Sequence, residues 1–128
     1  TTGSLLHTLD NPNAYSTSTN DYFGRSVAIS GNNIIVSAYR EDDAGGSASG
    51  KAYIFDVTTG SLLYTLDNPN AYSTALVDSF GYSVGISDEY IVVGASQEAD
   101  SGGILSGKAY IFAVKDLTNL DRLYTLVS

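Results

Sequence analysis

The sequence predicts an all-β protein built from two tandem copies of one four-stranded unit. The first observation is an internal repeat: Thr1–Val57 aligns without a gap on Thr58–Val114, and 38 of the 57 aligned positions are identical. The second is that short apolar runs alternate with turn residues, and that 13 Gly and 10 Tyr accompany only 2 Pro. The third is that no segment shows a convincing helical period. A repeat of this length indicates stacked units, each too small to bury its own apolar face.

Each copy contains four predicted strands separated by turns. In the first unit, residues 10–66, they cover Ser26–Ser30, Asn33–Tyr39, Lys51–Val57 and Ser61–Leu66. The second of these is a continuous apolar run, so we expect it to be buried on both faces, whereas the first alternates polar and apolar residues. The Gly31–Asn33 segment between them tolerates the positive φ that a tight hairpin turn requires. Each unit is therefore predicted to be a four-stranded antiparallel meander.

An additional strand is predicted before the first unit. Ser4–Leu9 reads S-L-L-H-T-L, which recurs as S-L-L-Y-T-L at Ser61–Leu66 and as L-Y-T-L at Leu123–Leu126. Because the two later copies close their units, we expect the first to be a closing strand with no unit before it, and the chain to be a fragment or a processed product. The predicted division is residues 1–9 for this strand, 10–66 for the first unit and 67–128 for the second.

Charge and composition argue against several kinds of partner. The formal net charge is −8 and there are only six Lys and Arg, so nucleic acid is not an expected partner, because phosphate binding needs clustered basic residues. No apolar run approaches the length of a membrane span, so membrane insertion is not expected either. The chain has no Cys, which removes disulfides, thiol catalysis and Cys-based zinc sites.

The order of short motifs carries a specific resemblance. F-G at Phe23–Gly24 and Phe80–Gly81 is followed by a strand, then by V-V-G-A at Val92–Ala95, and then by G-K-A-Y-I-F at 50–55 and 107–112. This pattern resembles the FG-GAP repeat, the blade repeat of integrin-α-type β-propellers and of many bacterial surface proteins. The resemblance spans nearly the whole chain, twice. It implies an all-β fold of two four-stranded antiparallel β-propeller blades plus the extra N-terminal strand, and a location outside the cell or at the cell surface.

No metal site and no cofactor are expected. Calcium-binding members of the family carry an Asp-rich loop between the F-G strand and the G-A strand, but Gly31–Asn33 and Asp88–Tyr90 stand there and are too short to supply six to eight oxygen ligands. Acidic residues of the following loops offer a weak alternative calcium site, formed by Glu41, Asp43, Glu98 and Asp100.

Five tyrosines lie in or beside loops and are predicted to form a rim for a carbohydrate or protein ligand: Tyr15, Tyr22, Tyr39, Tyr72 and Tyr82. No catalytic residue is expected. The single histidine, His7, aligns with Tyr64 and is interpreted as an exposed strand residue rather than as part of a Ser–His–Asp triad.

The favoured function is a non-enzymatic extracellular module for adhesion, recognition or structural assembly. Two blades cannot close a ring, so we expect association through blade faces and edge strands, either with further copies or with the remainder of a longer propeller. Two alternatives are a lectin-like or hydrolytic propeller with its site in the loops, and a subunit that forms filaments by donating Ser4–Leu9 as a strand.

Overall fold

The computed structural model describes residues 3–12, 21–40, 50–69, 79–96, 107–114 and 124–127. Eight strands in this part of the chain form two four-stranded antiparallel sheets, in which every strand pairs with its neighbours in sequence. We call these sheets the first and second blades. The first contains β1 (Phe23–Ser30), β2 (Asn33–Ala38), β3 (Lys51–Asp56) and β4 (Leu62–Asp67); the second contains β5 (Phe80–Ile86), β6 (Tyr90–Ala95), β7 (Lys108–Ala113) and β8 (Tyr124–Val127). The predicted all-β fold and the two meanders are confirmed.

The F-G motif is a tight turn at the start of the first strand of each blade. The N–H of Arg25 donates to the carbonyl of Tyr22 at 3.0 Å. Gly24 adopts a φ of 93°, which glycine tolerates far better than a residue with a Cβ. The register of β1 against β2 shifts between Phe23 and Val27, so the turn acts as a bulge inside the strand. β1 therefore begins at Phe23, three residues earlier than the alternation of apolar residues predicted.

One apolar core lies between the two sheets. Each blade has two faces. We call the face of the first blade that packs against the second blade its rear face, and we use the same name for the equivalent face of the second blade. The opposite face of each blade is its front face. The rear face of the first blade contributes Ile35, Ala52, Ile54 and Leu66, and the front face of the second contributes Phe80, Ile91, Val93, Ala95, Tyr110 and Phe112. The Phe80 ring meets the Tyr110 ring edge-on at 5.5 Å. Burying such side chains contributes about 1.5–3 kcal/mol each, so this junction stabilises both blades together.

The second strand of the first blade is buried on both faces, as its continuous apolar run predicted. Ile35 on the rear face is 0% exposed and Val36 on the front face is 4% exposed. The equivalent strand of the second blade behaves differently, because Tyr90 and Val92 are 53% and 43% exposed. The rear face of the second blade is thus uncovered by the described part of the chain.

The extra N-terminal strand does not form within the described residues. Ser4–Leu9 belongs to neither sheet, and Leu5 and Leu6 are largely exposed. β4 has nearly the same sequence but is a strand because β3 supplies its hydrogen-bonding neighbour. The described chain offers Ser4–Leu9 no equivalent neighbour, since a strand needs a ladder and not only a suitable sequence. The prediction of a ninth strand is therefore wrong for this structure, and the domain boundaries stay predictions.

The N-terminal segment nevertheless has a defined place. Leu9 packs against a second apolar cluster on the front face of the first blade, formed by Val36, Ala38, Tyr53 and Phe55. Two hydrogen bonds hold residues 3–12 on either side of Leu9: His7 Nε2 donates to the carbonyl of Thr58 at 2.9 Å, and Asn11 Nδ2 donates to Asp21 Oδ2 at 3.0 Å. The segment therefore lies across the front face without joining a sheet.

Within the described residues, no helix is both long and apolar enough to cross a lipid bilayer.

Candidate functional site

Three tyrosines and two arginines meet at one edge of the junction between the blades. We call this group the Tyr–Arg cluster; its members are Tyr22, Arg25, Tyr39, Arg40 and Tyr82. The rings of Tyr22 and Tyr39 stack with centroids 5.6 Å apart and planes inclined by 25°. The ring of Tyr82 stands at 90° to that of Tyr39, with centroids 5.1 Å apart. The rings thus form a continuous aromatic surface that spans both blades.

Both guanidinium groups lie over these rings. The Arg25 guanidinium carbon is 4.6 Å from the centroid of Tyr82 and 5.9 Å from that of Tyr39. The Arg40 guanidinium carbon is 6.0 Å from the Tyr22 centroid and 5.9 Å from the Tyr39 centroid. Cation–π attraction at this range contributes about 0.5–1 kcal/mol at exposed sites, which is enough to orient long side chains. The arginines are therefore held against the aromatic surface.

The repeat explains why these residues meet. Arg25 and Tyr82 occupy the same position in the two copies, directly after the F-G turn, and stacked copies bring equivalent positions together. Tyr39 and Arg40 follow β2, and the N–H of Arg40 donates to the carbonyl of Asp21 at 3.3 Å. This bond ties the exit of β2 to the residue that precedes Tyr22.

The cluster is open to solvent and carries two guanidinium groups. Tyr22 is 50% exposed and Tyr82 is 39% exposed, and both arginines are exposed. Within the described residues neither guanidinium forms an ion pair, although the chain carries a net charge of −8. A guanidinium can bind a carboxylate, sulfate or phosphate through two parallel hydrogen bonds, and a tyrosine ring can stack against an apolar surface while its hydroxyl bonds to water or ligand. The arrangement suits a ligand that is both flat and anionic.

The structure brings together three of the five tyrosines predicted to form a rim: Tyr22, Tyr39 and Tyr82. Tyr15 and Tyr72 lie outside the described residues. Sequence reasoning missed the two arginines. The available signal was that Arg25 aligns with Tyr82, so that an arginine and a tyrosine are placed face to face wherever the two copies stack.

The candidate calcium ligands Glu41, Asp43, Glu98 and Asp100 also lie outside the described residues. Among the residues that the structure does describe, no three His, Asp or Glu side chains are grouped so that they could hold a metal ion.

Asp56 organises the turn between β3 and β4. Its Oδ1 accepts hydrogen bonds from the backbone N–H of Thr58 at 2.7 Å and of Thr59 at 3.2 Å. Partial desolvation opposes ionisation, but these two bonds, a further bond from Asn32 and the nearby His7 outweigh it and hold the pKa of Asp56 below its ordinary value. The carboxylate is therefore a turn-stabilising group.

His7 belongs to the same corner of the molecule. It is exposed, as predicted, but it does not lie in a strand. A carbonyl oxygen can only accept a hydrogen bond, so the contact between His7 Nε2 and the carbonyl of Thr58 requires the proton on Nε2. The described contacts of this side chain anchor the N-terminal segment.

A shallow apolar groove of about 390 Å³ lies on the second blade, between residues of β5, β6 and β7. It is lined by Gly85, Ile86, Ser87, Tyr90, Ile91, Val92 and Ile111. Its walls offer little hydrogen-bonding capacity, so it is suited to another apolar surface rather than to a polar ligand.

Comparison with known protein families finds one model, described as FG-GAP repeat, that matches residues 14–55 and 71–112. The two matched segments are separated by the same 57 positions as the internal repeat. No curated protein sequence matches the chain.

Proposed function

Since these two matches cover most of its length, the chain belongs to the FG-GAP repeat family, and we propose that it is a non-enzymatic recognition module that works outside the cell or at the cell surface. FG-GAP repeats are typically found in adhesion or recognition modules of extracellular or surface proteins. The proposed recognition uses side chains alone and assigns no part to a metal ion or a cofactor.

The Tyr–Arg cluster is the observation that carries this proposal. In this chain of net charge −8, two arginines flank an exposed aromatic surface and have no ion-pair partner among the described residues. Rigid aromatic side chains lose little conformational entropy on binding and are favoured in recognition surfaces. The cluster therefore supplies both contact area and charge at one place.

We assign the ligand to the class of acidic carbohydrates. The C–H face of a pyranose ring can lie on an exposed tyrosine ring such as Tyr22 or Tyr82, whereas a uronic acid carboxylate can pair with Arg25 or Arg40. A neutral sugar would leave the guanidinium groups unused. The ligand thus needs both a sugar ring and a carboxylate.

The test compares an oligosaccharide of four galacturonic acid units with its neutral galactose counterpart by calorimetry. We expect the acidic oligosaccharide to bind, and the neutral one to bind at least tenfold more weakly. Arg25→Gln and Tyr82→Ala should each weaken binding of the acidic probe by about tenfold, which corresponds to 1.4 kcal/mol.

Tyr90→Ala is the matched control, because Tyr90 is as exposed as Tyr22 but lies in the groove of the second blade. It should leave binding unchanged. Equal binding of both probes, or equal loss in Tyr82→Ala and Tyr90→Ala, would contradict the assignment. If sulfate ions alone fully displaced the acidic oligosaccharide, the cluster would be a general anion site and the assignment to carbohydrates would be wrong.

Structural assembly is the second candidate function. It is favoured by a different observation, the exposed apolar residues on the outer faces of the two blades, Val27, Ile29 and Val92.

A further inference from the structure

The junction between the two blades shows how one blade covers another, because both of its halves are described. Its two halves are the rear face of the first blade and the front face of the second. The repeat supplies a second copy of each half: a front face on the first blade and a rear face on the second. The state of these two remaining faces can therefore be compared residue by residue with the buried junction.

No described residue covers the inner part of the first blade's front face. Val27 and Ile29 are 61% and 62% exposed. Their counterparts in the second blade, Val84 and Ile86, pack against the core between the sheets. The same apolar positions are thus half-buried where a blade lies against them and largely exposed where no described residue does.

The F-G turn shows the same contrast. A Cβ atom at Gly81 would lie 2.8 Å from the carbonyl oxygen of Lys51 and 3.0 Å from Cβ of Ser37, because the first blade encloses this turn. A Cβ atom at Gly24 would have no neighbour within 4 Å. The turn at Gly24 is therefore equivalent to the enclosed turn at Gly81, but no described residue packs against it.

The outer part of the same front face is covered by the N-terminal segment. Leu9 packs on Val36, Ala38, Tyr53 and Phe55. In the second blade these four residues correspond to Val93, Ala95, Tyr110 and Phe112, and Leu66 of β4 belongs to the same cluster as those counterparts. Leu9 and Leu66 are equivalent in the repeat. The N-terminal segment thus occupies the position that the outermost strand of a neighbouring blade would take on this face, and the described residues supply no inner strands beside it.

The rear face of the second blade is exposed at positions that are buried on the rear face of the first blade. Val92 is 43% exposed, whereas its counterpart Ile35 is 0% exposed. Ile111 is half-buried, whereas its counterpart Ile54 is 0% exposed. Three strands of this blade, β5, β6 and β7, line the uncovered groove.

We propose that a second copy of this chain covers the front face of the first blade with the rear face of its second blade, in the register of the internal junction. β5, β6 and β7 of that copy supply the three inner strands. Ser4–Leu9 then lies beside its β7 as the outermost strand, in place of its β8. By analogy with the pairing of Ala52 with Leu66, Leu9 is expected opposite Ala109 of the second copy.

This association joins two different surfaces, so it is head-to-tail. Such contacts give a ring if the rotation between copies closes and a filament if it does not. The proposal is argued from residues outside the Tyr–Arg cluster and requires no carbohydrate, so its failure and the failure of the proposed function are distinguishable.

A complementation experiment tests the docking. Val27→Glu blocks the front face, and Val92→Glu blocks the rear face; both side chains are exposed, so neither change should prevent folding. The unchanged chain should form assemblies above its monomer mass of 13.5 kDa in sedimentation, and each variant alone should remain monomeric. An equimolar mixture should give a dimer, because each variant keeps one intact face.

Ser61→Glu serves as the control, because Ser61 is exposed in the turn that precedes β4 and lies in neither apolar cluster. It should assemble like the unchanged chain. A monomeric unchanged chain overturns the proposal, and so does a mixture that remains monomeric. Assembly that survives both substitutions also overturns it, since association would then use other surfaces.

Because the chain has no Cys, cross-linking gives a second measurement. In the internal junction Ser26 faces Val84, so the equivalent contact between copies joins Ser83 to Val27. Val27→Cys with Ser83→Cys in one chain should give a disulfide-linked ladder on oxidation, whereas Val27→Cys with Ser61→Cys should not. Equal ladders would overturn the docking register.

Hydrogen exchange tests the exchanged strand. On assembly, amides of Ser4–Leu9 should gain protection and those of Tyr124–Val127 should lose it. If Tyr124–Val127 keep their protection, β8 stays in place and this part of the proposal is overturned.

Discussion

Gly50 and Phe80 are in backbone contact across the junction between the blades. A Cβ atom at Gly50 would lie 2.0 Å from the carbonyl oxygen of Phe80, and Gly50 adopts a φ of 95°. The G-K-A-Y-I-F motif of one blade therefore begins with glycine because the F-G turn of the next blade rests against it. The two motifs of the repeat are the two sides of one contact.

Replacing Gly50 by alanine should therefore destabilise the protein more than the equivalent change at Gly107. Both substitutions place a Cβ at a positive φ, which costs about 1–2 kcal/mol. Gly50→Ala also creates a clash with backbone atoms that cannot move aside, and overpacking adds about 1–3 kcal/mol. At Gly107 the closest atom to a Cβ is the Ser96 carbonyl oxygen at 3.1 Å. Urea unfolding followed by circular dichroism measures both, and equal losses would contradict the contact.

The hydroxyl of Ser26 links the two sheets, because its Oγ accepts a hydrogen bond from the N–H of Val84 at 3.2 Å. Ser26→Ala leaves this partly buried donor unpaired and should lower the free energy of unfolding by about 1–3 kcal/mol. Ser83, the equivalent residue of the second blade, is exposed and accepts no such bond within the described residues. Ser83→Ala should be neutral in the same urea measurement, and a comparable loss there would show that the Ser26 bond is not the cause.

Leu9 should contribute to stability although it lies outside both sheets. It is half-buried on the front cluster of the first blade, whereas Leu5 is 80% exposed. Leu9→Ala should lower the free energy of unfolding by about 1 kcal/mol, since part of a leucine side chain is returned to water. Leu5→Ala should have no measurable effect. Thermal unfolding distinguishes the two, and matching midpoints would mean that the N-terminal segment does not hold to the blade.

The carboxylate of Asp56 should make stability depend on pH in the acid range. Its pKa in the folded protein lies below the ordinary value of 3.8, so the ionised form is favoured by folding. This contribution is fully present above the unfolded-state pKa and is lost as pH falls through the folded-state pKa. Between pH 6 and pH 3 the unchanged protein should therefore lose more stability than Asp56→Asn.

The control for this prediction is Asp10→Asn, because Asp10 is exposed and accepts no hydrogen bond within the described residues. It should keep the pH dependence of the unchanged protein. Urea midpoints at pH 6 and pH 3 measure all three chains. A parallel decrease for Asp56→Asn and the unchanged chain would contradict the assigned role.

Much of the fold was predictable because the same pattern of strands and turns occurs in both copies of the repeat. The alternation in Ser26–Ser30 and the continuous apolar run of Asn33–Tyr39 predicted β1 and β2 within a few residues. The start of β1 was missed because the bulge at Phe23–Gly24 breaks the period of two on which the prediction rests. The Tyr–Arg cluster was predicted only in part, since alignment places Arg25 on Tyr82 but does not show that the two side chains touch.

Local sequence by itself determined most of the strands and turns, because apolar periodicity and glycine positions act over a few residues. It also determined the faces: the same apolar positions recur in both blades. Only the tertiary structure decided which faces are buried and whether S-L-L-x-T-L becomes a strand. Ser61–Leu66 lies beside β3 and forms β4 over most of its length, whereas Ser4–Leu9 has no such neighbour among the described residues and lies outside both sheets. The physical reason is that a strand completes its hydrogen bonds, and an apolar face its burial, only against a second surface.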